Sequence, residues 1–157
     1  MSEGSSGGFQ RGAHSIITSI TKIKEGNLDR LRGTLAAMGA PDRESPVKAI
    51  STIHFARWVI IDGGTRLLFT SNFDESWDDY IDMFIDRASG GLDAIWSNCE
   101  GYPEGGAQDR AAFKEYVRQS EYQAELFYCA YDDLTVPQIL KDDRIRQKFE
   151  ALLDEFA

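Results

Sequence analysis

STIHFARWVIIDGGTRLLFTSNF, residues 51–73, is the stretch on which the fold turns. Two arms rich in β-branched and aromatic residues, STIHFARWVIID (51–62) and TRLLFTSNF (65–73), flank Gly63-Gly64. Such a pattern predicts a β-hairpin, because two glycines supply the positive φ that a tight turn between twisted strands requires. Near the turn both arms are almost continuously apolar, as expected when each sheet face is at least partly covered. A two-residue turn at Gly63-Gly64 sets Arg57 opposite Thr70 and Phe55 opposite Asn72. A slip of one residue would instead pair that face with Phe69, Ser71 and Phe73.

Upstream, HSIITSITKI (14–23) alternates as a strand does. Asn27 is an N-cap, Leu28, Leu31, Leu35 and Met38 form one apolar stripe, and Gly39 ends that helix. Residues 40–46 (APDRESP) form a loop. Downstream, Ser76 and Asp79 form a capping pair, and Trp77, Tyr80, Ile81, Phe84, Ile85 and Ala88 mark the buried face of a helix. Gly90-Gly91 is expected to interrupt it before 92–99. A Gly-rich loop (100–109) and a short helix (111–119) lead to YQAELFYCAY (122–131), read as the fourth strand. Thr135, Pro137 and Gln138 open a last helix carrying Ile145, Phe149, Leu152, Leu153 and Phe156 on one side. The expected fold class is α+β: a ferredoxin-like β-α-β-β-α-β antiparallel sheet with a C-terminal helical extension, in one domain over 13–157. Residues 1–12, rich in Gly and Ser, are expected to be a flexible tail. Two helices cover only one face of such a sheet, so the other needs water, a partner or a ligand.

This order of elements, from about His14 to Tyr131, resembles the dimeric α+β-barrel superfamily, and IHFARW (53–58) and LLFTSNFDESWDDY (67–80) look like a group with that fold. The resemblance implies two domains packed through their open sheet faces around pockets. It also implies activities like those of cofactor-free monooxygenases, polyketide cyclases, lactone isomerases or haem proteins. The GxxDG motif of the dye-decolourising peroxidases is absent from the sequence.

Acidic residues outnumber basic ones 26 to 17, for a net charge of -9. A phosphate-binding surface needs clustered Lys and Arg, so nucleic acid is excluded as the expected partner, and an anionic membrane surface is disfavoured. No stretch approaches the roughly 18 apolar residues of a membrane span. With no secretory apolar segment near Met1, the expected location is cytoplasmic, with Cys99 and Cys129 as reduced thiols. Gly pairs fit no nucleotide-binding motif, and Asp78, Asp79, Asp82 and Asp86 have the spacing of a solvated helix face rather than a calcium loop.

Three residues are candidates for catalysis. His54 suits proton transfer or haem ligation; the alternative is a core histidine bonded to a backbone carbonyl. On a regular strand it shares a face with Ala56, Trp58 and Ile60, away from Phe55, Arg57 and Val59. Arg57, in an apolar strand, needs a carboxylate, a carbonyl cluster or an anionic ligand, or else makes an ion pair at a dimer interface. Asp74 is a turn residue, a general base, or the carboxylate that orients His54, provided the two converge across the hairpin. Trp58, Thr70, Asn72 and Tyr128 are candidate pocket residues, with Tyr128 and Tyr131 on opposite faces of the fourth strand. The expected function is an enzyme of cyclase, isomerase or oxygenase type acting on an apolar or aromatic metabolite, with no cofactor and no metal. The alternatives are a haem protein with His54 as axial ligand, and a non-catalytic module that homodimerises or docks on a partner protein.

Overall fold

The computed structural model describes residues 9–42 and 45–156. The elements are β1 (Phe9–Arg11), β2 (His14–Lys22), α1 (Leu28–Met38), β3 (Ile53–Ile61), β4 (Arg66–Asp74), α2 (Trp77–Trp96), α3 (Arg110–Ser120) and α4 (Val136–Asp154). The chain is α+β, with one four-stranded antiparallel sheet in the order β1-β2-β4-β3.

Of the two registers open to the hairpin, the structure has the one set by a turn centred on Gly63-Gly64. Arg57 faces Thr70 and Phe55 faces Asn72, while Gly63 and Gly64 take φ of 65° and 97° at the turn. Strand alternation then sorts side chains cleanly. Ile17, Leu67, Phe69 and Phe73 enter the core beneath α2, joined by Ala56, Trp58 and Ile60. Ile16, Thr18, Arg57, Thr70 and Asn72 have the opposite parity and line the helix-free face.

α2 begins where the sequence says it should, with Ser76 Oγ accepting from the Asp79 amide at 3.2 Å. It buries Trp77, Tyr80, Ile81, Phe84, Ile85, Ala88, Leu92, Ile95 and Trp96, and Tyr80 stacks on Phe73 with ring centroids 3.5 Å apart. Fully burying one such side chain contributes about 1.5–3 kcal/mol, so this stripe fixes α2 to the sheet. The interruption expected at Gly90-Gly91 falls instead at Ala88 (φ −138°), and the helix runs on to Trp96. On its outer side α2 is not simply solvated. Arg110 of α3 reaches Asp82 and Asp86 at 2.6 Å each, Lys114 reaches Asp78 and Asp82 at 3.0 and 2.9 Å, and Arg118 reaches Asp78 at 3.2 Å. The acidic row is therefore a helix-to-helix ladder.

Two further expectations are corrected. Residues 122–131 are not a strand. They touch the β2 edge at their start, through Tyr122 N to Thr18 O at 2.8 Å, and again just past their end, through Ala13 N to Asp132 O at 2.9 Å. Between those points the edge of β2 is occupied by β1, which pairs Phe9 with Ile16 and Arg11 with His14. An occupied edge has no free ladder groups for another strand, so the segment arches away. Of the expected tail, residues 9–11 form β1 and Gly12 turns into β2, while residues 1–8 lie outside the described residues. Gly12 is required there: its φ is 59°, and a Cβ would sit 2.3 Å from the Asp132 carbonyl oxygen. Finally, α4 is capped by Thr135 and Gln138 as expected but buries none of its residues. Among the described residues no helix is long and apolar enough to cross a membrane, and both cysteines are free thiols.

Candidate active site

Where β2 starts and β4 ends, the ladder brings His14 opposite Asp74. Both belong by parity to the helix-free face. The third member arrives through a departure from regular pairing. Ile53 pairs with Phe73, yet Phe55 pairs with Asn72, so His54 is an extra residue in the strand. Such a bulge re-aims its side chain. This corrects the face expected for His54: Ala56, Trp58 and Ile60 do point to the core, but His54 joins Phe55 in the wall of a cleft on the other side.

The convergence with Asp74 is present. His54 Nε2 lies 2.8 Å from Asp74 Oδ1, and His14 Nδ1 lies 3.5 Å from the same oxygen. His14 Nε2 donates to the Tyr131 carbonyl at 3.0 Å, which fixes its tautomer. Asp74 Oδ2 accepts from the Val136 amide at 2.8 Å, tying the first turn of α4 to the strand end. The two imidazoles meet edge-on with centroids 4.5 Å apart, and the Tyr131 ring covers both, at 5.8 and 5.9 Å. The side chains of His14, His54 and Asp74 are only 2, 6 and 5 % exposed. Next to them Glu75 holds φ of 77°, a left-handed conformation uncommon for a non-glycine residue, and its carbonyl accepts from Ser15 Oγ at 2.8 Å.

A cleft of about 230 Å³ is walled by His14, His54, Phe55 and Asn72 on the sheet side and by residues 127–131 above them. Phe55 and Asn72 also border a larger neighbouring cleft of about 470 Å³, which holds Arg57, Thr70, Ile16 and Thr18 beneath Ala124 and Leu126. Arg57 Nε donates to Thr70 Oγ1 at 3.0 Å. No carboxylate bonds this guanidinium among the described residues, so its remaining N–H groups are available to an anionic or carbonyl group.

Of the expected site residues, His54, Arg57, Thr70, Asn72 and Tyr128 therefore line two adjoining clefts, and Asp74 lies buried behind them, bonded to His54. Trp58 does not. It packs on Phe69 and Trp96 beneath the sheet and borders a separate apolar cavity of about 300 Å³, with Leu35, Met38 and Ala88. Its buried Nε1 has no hydrogen-bond partner among the described residues. Tyr128 and Tyr131, expected on opposite faces, border the same cleft because their segment is not a strand. His14 is the member that sequence reasoning passed over. The available signal was its rarity, one of two histidines, but only the β2–β4 pairing gives it a role.

Compared with protein-family models, curated proteins and solved structures, the chain matches none.

Proposed function

We propose that the helix-free face is a small-molecule pocket, and that the chain is an enzyme of cyclase, isomerase or oxygenase type acting on an apolar or aromatic metabolite. The observation that carries this reading is the buried His14–His54–Asp74 cluster opening into the same cleft system as Arg57, Thr70 and Asn72. Buried titratable groups grouped beside a concave surface are a recognised mark of reactive sites. In this reading Arg57 binds an enolate, carboxylate or carbonyl oxygen, and Phe55 with Tyr128 contacts the apolar body of the ligand. His54, held by Asp74, exchanges a proton with it. A haem-bound alternative would use His54 as axial ligand and would first have to release its Nε2 from Asp74. The sheet order β2-β4-β3 is compatible with a ferredoxin-like variant whose fourth place is taken by an N-terminal strand.

The test is a titration of the full chain with 2-naphthoate, followed by amide NMR. Shifts at Phe55, Arg57 and Asn72 are expected. Arg57→Ala should weaken binding by roughly ten- to a hundredfold, the equivalent of one charge-assisted hydrogen bond of about 1.5–3 kcal/mol. Shifts confined to Trp58 and Trp96, or an Arg57→Ala variant that binds as the parent does, would count against the pocket.

A second reading has its own observation. On α4, Ile145, Phe149 and Leu152 recur at spacings of four and three, and all are exposed, as is Phe156 just past the end of the helix. That is the spacing of a helix-packing seam. It supports homodimerisation or docking on a partner protein through α4, with or without chemistry at the cleft. Phe149→Glu should then convert a dimer to a monomer in sedimentation while leaving naphthoate binding intact.

A further inference from the structure

We propose that His14, His54 and Asp74 form a binding site for one divalent transition-metal ion of the zinc or iron(II) class, with its open coordination side toward the cleft of Phe55, Asn72 and Tyr128. The inference deepens the reading of this pocket as a reactive site by giving it a metal.

The argument starts from an electrostatic mismatch. Because the Tyr131 carbonyl can only accept, His14 Nε2 carries the proton of that bond at 3.0 Å. A neutral His14 therefore turns the lone pair of Nδ1 toward Asp74 Oδ1, 3.5 Å away. Two acceptors facing each other in a buried site repel unless something positive lies between them. Asp74 is also a buried carboxylate that no Lys or Arg pairs among the described residues; its ionic partners are the two imidazoles. A buried carboxylate held only by imidazoles and one backbone amide is costlier than one paired with Lys or Arg, and a cation at this point relieves both problems.

The donor set suits a particular kind of cation. Two imidazole nitrogens and one carboxylate oxygen are the facial triad of borderline transition metals; calcium and magnesium prefer all-oxygen sites. Ligand atoms about 2.0–2.2 Å from an ion stand about 2.8–3.6 Å from one another in octahedral or tetrahedral arrangement. Here the nitrogen-to-oxygen separations are 2.8 and 3.5 Å, and all three ligand atoms lie within 4.8 Å. The two imidazoles would turn toward Asp74 Oδ1 to close the site. The supporting bonds are the ones a metal centre needs: the far nitrogen of His14 is bonded to a backbone carbonyl, and Asp74 Oδ2 is held by the Val136 amide, leaving Oδ1 for the ion. On loading, the proton that His54 Nε2 shares with Asp74 moves to Nδ1. Metal-free and loaded chains are thus two states of one cluster, and the loaded state would act through a bound water.

The test uses the full chain without an affinity tag, stripped with chelator. Zn²⁺ is titrated by calorimetry and Co²⁺ by visible absorption. One ion per chain is expected, and His14→Gln and His54→Gln should each weaken it by about tenfold or more. Glutamine keeps an amide donor for the Tyr131 carbonyl, and circular dichroism verifies that each variant is folded. No Zn²⁺ binding at millimolar concentration would overturn the proposal, as would variants that bind like the parent. So would imidazole ¹⁵N shifts that leave His14 protonated at both nitrogens in the presence of Zn²⁺, since a proton would then fill the gap. Naphthoate binding is measured separately on the metal-free chain, so failure of the pocket and failure of the metal site give different results.

Discussion

The two faces of one sheet are built from the same strands, often from adjacent residues, and yet they answer to different demands. Phe73 on the covered face has no exposed surface, while Phe55 on the open face is 65 % exposed. Neighbours differ as sharply: Ser71 is buried against Tyr80, and Thr70 stands in a cleft with Arg57. The covered face is selected for volume, since a packed interior registers the loss of even one methylene. On the open face volume is unconstrained and polar groups collect. The difference teaches that an aromatic residue in a strand says little about function until its parity is known.

The largest effect expected from this contrast is on stability. Phe73→Ala removes a ring stacked between the sheet and α2 and should cost about 3–5 kcal/mol in urea unfolding. Phe55→Ala, at the next paired position and on the other face, should stay within about 0.5 kcal/mol. A Phe55→Ala loss comparable to that of Phe73→Ala would break the contrast. It would mean that the open face is buried in solution, as in the barrel dimer.

How far this contrast is legible in the sequence varies by residue. The hairpin follows from Gly63-Gly64 and its two β-rich arms, but the sequence leaves two registers open, of which the structure has the one that pairs Arg57 with Thr70. α2 follows from Ser76 and its apolar stripe, because capping and periodicity are local. His54 is where alternation fails. A bulge is one extra residue in the pairing, and nothing in IHFARW distinguishes a bulged strand from a regular one. The segment 122–131 has every local mark of a strand, but a strand also needs a vacant edge, and β1 occupies that edge. Vacancy is a property of the assembled sheet. For the same reason His14 acquires its partners only once β2 lies beside β4.

A second, smaller contrast separates the two sides of α2. Its inner side is held by apolar burial, its outer side by the ladder to α3. Arg110→Ala breaks the contacts to Asp82 and Asp86, whose side chains are 38 and 61 % exposed. Exposed pairs contribute little, so the expected loss is about 0.2–1 kcal/mol. It should shrink further in roughly 1 M salt, where charges are screened within about 3 Å. A loss that persists in high salt would assign the ladder a packing role through the arginine stem rather than a role through charge.

The smallest expected effect lies where the two faces meet. Glu121 leaves α3, bridges to Ser19 at the sheet edge, and accepts from the indole N–H of Trp77 on the covered side. Burial raises its carboxyl above the ordinary value of 4.5, against the opposing pull of the Trp77 bond and of Arg118. A raised acid binds more protons folded than unfolded, so its contribution is favourable below the unfolded pKa and is lost as pH rises through the folded one. Glu121→Gln keeps an oxygen for Trp77 and never acquires the charge. It should be slightly more stable than the parent at pH 7, within about 0.5 kcal/mol, and should converge with it in acid. If the variant is instead less stable at pH 7, the charge-assisted bond to Trp77 outweighs burial. The seam would then be held by charge on both sides of α2, and the division between an apolar inner side and an ionic outer side would have to be redrawn at Trp77.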